Sequence, residues 1–118
     1  MAGETKLRLI FREKTKDLLE AECSQPDASA SAFASLGNIY SKQDNNEAAI
    51  ECYRQALARE YGQVYWRLEL AKLLAKMERM PEALLEAKTC LQLRPQFQTA
   101  EKLVASFSVN PAVFDEEN

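Results

Sequence analysis

The sequence predicts an all-α fold made of repeated helix-turn-helix units, with a leading helix before them and a capping helix after them. Three observations carry the prediction. Gly and Pro are scarce, with three and four residues, while Ala, Leu, Glu, Lys, Arg and Gln are abundant, which is the composition of helices. Apolar residues recur at helical spacing over most of the chain. Finally, Leu36, Gly37, Tyr40, Ala49, Tyr53, Ala56 and Tyr61 are echoed 34 positions later by Leu70, Ala71, Leu74, Ala83, Ala87, Cys90 and Pro95.

The elements follow in order. Lys6 to Glu22 sets Leu7, Ile10, Phe11, Leu18 and Leu19 on one helical stripe, with Arg8, Arg12, Glu13, Lys16 and Glu20 on the other side, so it is expected to form an amphipathic leading helix. Pro26 disfavours helix in the residue before it, and Asp27 or Ser29 can cap the next helix, which places residues 1–28 as leading helix and linker. The first unit, 30–63, runs as a helix from Ala30 to about Gln43, a turn at Asp44-Asn45-Asn46 and a helix from Glu47 to Arg59. Glu60-Tyr61-Gly62 is expected to close it, with Gly62 able to take the left-handed conformation that ends many helices. The second unit, 64–97, repeats the plan from about Gln63 to Met77 and from Pro81, at a first helical position, to Leu93, where Arg94-Pro95 stops it. Together the two units occupy 29–97. Residues 98–108 are expected to form a capping helix that covers the last unit with Phe97, Leu103 and Phe107, and 109–118 a flexible acidic tail.

Composition narrows the function. With 118 residues there is room for one core and no separate catalytic domain. The net charge of -3 comes from Asp115, Glu116 and Glu117, so the remainder is near neutral with mixed signs and lacks the basic footprint of a nucleic-acid binder. Cys23, Cys52 and Cys90 have neither metal nor redox spacing, which suits a reducing compartment. Met1 to Thr5 does not begin a signal peptide and no apolar run is long enough to span a bilayer, so the expectation is a cytoplasmic protein without membrane contact.

Phe33-x2-Leu36-Gly37-x2-Tyr40, Ala49-x3-Tyr53 and Ala56 resemble the tetratricopeptide repeat. The second unit is looser. Arg67 stands at the usual aromatic position, Ala71 for glycine, Leu74 for tyrosine and Ala87 for the second aromatic, while Leu70, Ala83 and Pro95 fit. The resemblance implies a right-handed α-solenoid whose concave groove, lined by the first helix of each unit, holds an extended peptide or a helix of another protein.

On those helices a spacing of four, three and four picks out Ser31, Ser35, Asn38 and Lys42, then Tyr65, Glu69, Lys72 and Lys76 one period on. By resemblance these residues are the candidate partner-binding groove, extended by Thr99 and Lys102. Asn38 can bond a peptide backbone, Tyr65 offers a flat amphipathic surface, and the lysines suit carboxylates, so a partner segment of acidic character is expected. One subfamily clamps the C-terminal carboxylates of chaperone tails with lysines, asparagines and an arginine. Only Asn38 matches that set, since Ala34, Glu69, Thr99 and Leu103 fill the other places. Trp66 shares a stripe with Leu70, Leu73 and Met77, which reads as packing.

No catalytic, cofactor-binding or metal residues are expected. The chain has no histidine, no glycine-rich phosphate loop and no nucleophile elbow. Glu47 with Glu51 and Glu82 with Glu86 lie near second-helix N-termini, where the helix dipole favours acids. The reading is a non-enzymatic interaction module. Its rivals are an assembly subunit or chaperone-like factor that completes a short stack with another chain, including a homo-oligomer, and an enzyme or regulatory fragment of one.

Overall fold

The computed structural model describes the backbone of residues 2–108 and the side chains of residue 8 and residues 10–108. The acidic tail read at 109–118 lies outside the described residues, as does the side chain of Leu7 of the leading stripe. All regular elements among the described residues are helices: α1 Ala2–Cys23, α2 Ala30–Lys42, α3 Asn46–Arg59, α4 Val64–Lys76, α5 Met80–Leu93 and α6 Gln98–Ser108. They fall into two compact units divided between Tyr61 and Gly62, with α1 to α3 in the first and α4 to α6 in the second.

In the first unit Ser29 is the residue that caps α2, its hydroxyl oxygen accepting a 3.1 Å bond from the Ala32 N–H. The α2–α3 hairpin closes over Leu36, Ala49, Ile50, Tyr53, Ala56 and Leu57, all buried. Gly37 permits the close approach. A Cβ there would stand 3.1 Å from two carbons of the Tyr53 ring and 3.2 Å from the Cys52 Cβ. Arg59 then ties the hairpin to the chain before it: its Nε donates to the Ala28 carbonyl at 3.1 Å and its guanidinium lies 4.4 Å from the Phe33 ring centre.

The leading helix α1 packs on α2, but not through the stripe the sequence suggests. Ile10, Phe11 and Leu18 are 47%, 66% and 73% exposed, and the partly covered side chains are Lys16, Leu19, Glu20 and Cys23. Polar groups make the specific contacts. The Tyr40 hydroxyl donates to Glu20 Oε2, and Gln43 Nε2 donates to Glu13 Oε1 at 3.1 Å. Amphipathicity gave the helix its period, but the groups presented by α2 decided which side it covers.

In the second unit the α4–α5 hairpin buries Leu70, Ala71, Leu73, Leu74, Ala83 and Ala87. Helix α6 closes the other side of α5 around Leu68, Cys90 and Ala100, with Leu91, Phe97 and Leu103 packed against them. Phe107, expected as a large apolar residue of this helix, is buried.

The period extends to the turns. Asp44 and Glu78, 34 positions apart, have φ of 59° and 61°. Beside Asp44 the Asn45 N–H bonds the Tyr40 carbonyl at 2.9 Å and the Asp44 N–H bonds that of Ser41 at 3.1 Å. Beside Glu78 the Arg79 N–H bonds the Leu74 carbonyl at 2.8 Å and the Glu78 N–H bonds that of Ala75 at 3.0 Å. Both are the paired carbonyl caps of a helix ended by one left-handed residue. Gly62, though able to take that conformation, does not: no glycine among the described residues has positive φ. Helix α3 instead ends with the Glu60 N–H on the Ala56 carbonyl at 3.0 Å, without a left-handed residue.

Candidate binding faces of the two units

The first-helix residues singled out by spacing reach solvent in both units. Ser31, Ser35, Asn38 and Lys42 are exposed along α2, because Ala32, Leu36 and Gly37 turn the other side of that helix into the hairpin. On α4, Tyr65, Lys72 and Lys76 are exposed and Glu69 is half-buried, while Leu68, Leu70, Ala71, Leu73 and Leu74 face inward. Thr99 and Lys102 are exposed on α6. Lys72 Nζ stands 3.4 Å from Glu69 Oε1, an exposed pair one turn apart that lends little stability.

The second unit gathers three residues that the spacing did not link. Tyr65 meets Phe97 edge to face, with ring centres 5.4 Å apart and planes at 72°. Arg94 Nη1 donates to the Tyr65 hydroxyl at 3.3 Å, and its guanidinium carbon lies 5.8 Å from the Tyr65 ring centre and 5.3 Å from that of Phe97. These three, with Pro95 and Gln96, line an open pocket of about 570 Å³. Its aromatic walls and single guanidinium suit an apolar side chain next to a carboxylate. Sequence reasoning treated Arg94-Pro95 only as the stop of α5. The missed signal was a cation and an aromatic placed within four residues just after a helix end.

Arg67, which departs from the aromatic pattern, is buried, with 6% exposed. Its Nη1 lies 2.6 Å from Glu86 Oε1 on α5. Glu86 therefore serves an internal ion pair rather than only the dipole of its own helix. Trp66, read as packing, is half-buried.

The three cysteines are free thiols. Burial pushes Cys52 up to about 11, and the charges of Cys23, Glu51 and Glu20 add to it. Cys90 is also raised, chiefly by burial, and its Sγ donates to the Val64 carbonyl at 3.6 Å. Cys23 is raised by burial and by Glu22. Such thiols hold their protons at neutral pH and behave as small packing residues. Among the described residues no cluster of Cys, Asp or Glu is arranged to hold a metal ion, and no helix is long and apolar enough to cross a membrane.

The tetratricopeptide repeat family profile matches residues 30–60. No curated protein matches the sequence at a significant level. Among solved structures, a crystal structure of MamA has a TM-score of 0.80 at 19% identity, covering 97% of this chain and 67% of that one. In a second MamA structure the chain spans 62% of the other's length. The TPR domain of Arabidopsis OM64 gives 0.72 at 16% identity, covering 89% of this chain and 87% of that one. The Yersinia enterocolitica type III secretion chaperone SycD, in complex with a peptide of the translocator YopD, gives 0.75 at 14% identity and covers 89% and 86%.

Proposed function

We propose that this chain, which has the tetratricopeptide repeat fold and matches that family's profile at 30–60, is a non-enzymatic module that binds an extended or helical segment of another protein through the exposed faces of its first helices. The observation that carries the reading is the Tyr65, Arg94 and Phe97 pocket. Tyr65, 59% exposed and held by Arg94 against Phe97, sets an aromatic beside an arginine, the residue types enriched at binding hot spots. Lys72 and Lys76 follow on the same helix, so the favoured segment sets an apolar side chain into the pocket and runs its carboxylates past the lysines. Ser31, Ser35, Asn38 and Lys42 offer the corresponding polar contacts on α2, and Thr99 and Lys102 those on α6. A solved neighbour of the same fold holds a peptide, which supports recognition of this kind.

The test is an affinity capture from the native cell with three baits: wild type, Tyr65→Ala with Arg94→Ala, and Lys72→Glu with Lys76→Glu. A partner that binds wild type and is lost with both variants is the expected result. A partner set unchanged by either variant sinks the assignment of this face.

A further inference from the structure

Helix α1 turns its most apolar side away from the rest of its unit. Lys16, Leu19, Glu20 and Cys23 form the covered side, and at about 3.6 residues per turn Phe11, Lys14 and Leu18 fall opposite it. Ile10, Asp17 and Ala21 edge that outer side on one flank, Arg8 and Glu22 on the other, and every one of them is exposed. A phenylalanine and a leucine that are 66% and 73% exposed, about two helical turns apart on one side, form an unpartnered seam.

The charges on this seam have a direction. Arg8 and Lys14 precede Asp17 and Glu22, and the last turn of α1 holds no basic residue. Acids at a helix C-terminus are opposed by the helix dipole, so this order does not stabilise the helix itself. Reversed along the axis, however, the pattern is its own complement. With two α1 helices antiparallel and a two-fold axis near Thr15, Phe11 faces Leu18 of the second copy and Ile10 faces its Ala21. Arg8 then meets Glu22 of the second copy, and Lys14 meets its Asp17. A parallel pairing would set like charges side by side.

We propose that α1 is a self-association helix, through which two copies of this chain pair antiparallel by their Phe11 and Leu18 seams, with register fixed by Arg8 to Glu22 and Lys14 to Asp17 pairs across the axis. The contact is isologous: the same patch serves both copies. It holds none of the residues assigned above to partner binding, so the two proposals fail or stand separately.

Sedimentation equilibrium over a range of concentrations tests it with three chains: wild type, Arg8→Glu with Lys14→Glu, and Asp17→Lys with Glu22→Lys. Wild type is expected to rise reversibly from 13.4 kDa toward twice that mass. Each charge-reversed variant alone is expected to stay monomeric, and an equimolar mixture of the two to dimerise again, because every cross pair then joins opposite signs. Misfolding cannot imitate that rescue. Wild type monomeric up to its solubility limit, dimers unaffected by the reversals, or a mixture that stays monomeric would each overturn the proposal.

Discussion

Arg67 and Glu86 form an ion pair of 2.6 Å inside the α4–α5 hairpin, with 8% and 19% of their side chains exposed. One period earlier the same two places hold Phe33 and Cys52. Corresponding positions of the two units thus carry different chemistry, an aromatic and a thiol in one and a charge pair in the other. Arg67 is present not as a decayed aromatic but with its counterion across the hairpin.

Removing one member of this pair leaves a charge with little access to water. Arg67→Ala is expected to cost about 3–5 kcal/mol by chemical denaturation. Replacing both, as Arg67→Phe with Glu86→Cys, imports the residues at the corresponding positions of the first unit and should recover most of that loss. A double variant no more stable than Arg67→Ala would mean that the ion pair is tuned to surroundings the first unit does not share.

At Gly37 the helix gains propensity from alanine but loses room. The added Cβ would sit 3.1 Å from the ring of Tyr53, which is 3% exposed and has nowhere to move. Overpacking of about 1–3 kcal/mol against a propensity gain of about 1 kcal/mol gives a net loss on the order of 1 kcal/mol for Gly37→Ala. Ala71 occupies the equivalent place in α4, where Ala87 replaces the tyrosine. Gly37→Ala in a Tyr53→Ala background should therefore lose less than in wild type, as a double-mutant cycle would report.

The Tyr40 hydroxyl is raised from 10.0 to about 12, first by its hydrogen bond to Glu20 and then by burial. The folded protein therefore holds this proton more tightly than the unfolded chain does. Its contribution is complete below about pH 10 and is lost as the pH rises toward about 12. Thermal unfolding of wild type and Tyr40→Phe, followed from neutral to alkaline pH, should show a gap in midpoint that is constant below about 10 and narrows above it. A constant gap throughout would place the value of Tyr40 in its ring packing rather than in the Glu20 contact.

Much of the fold was legible because its determinants are local. The boundaries of α2 to α5 follow from turn residues and apolar spacing within each helix, and lie within a few residues of those expected. Gly62 shows the limit of such reading. Glycine permits a left-handed residue but does not require one, and the conformation went to Asp44 and Glu78, where a further hairpin turn closes at once. The candidate faces were legible as exposed helix sides, whereas the pocket was not. Tyr65 and Phe97 are 32 positions apart and meet only because α6 folds back onto α5.

The sequence by itself determined the repeat: small residues at Gly37, Ala49, Ala71 and Ala83 with apolar neighbours at helical spacing leave few arrangements other than close helix hairpins. Tertiary structure alone decided where charge and exposed apolar surface ended up. Periodicity tells which residues share a side of α1 but not which side is covered. Tyr40 and Gln43, reaching Glu20 and Glu13 across 20 and 30 positions, made that choice through hydrogen bonds that no local pattern records. Arg67 found Glu86 in the same way, because a buried charge is tolerated only where another group pairs with it, and here that group lies on the next helix.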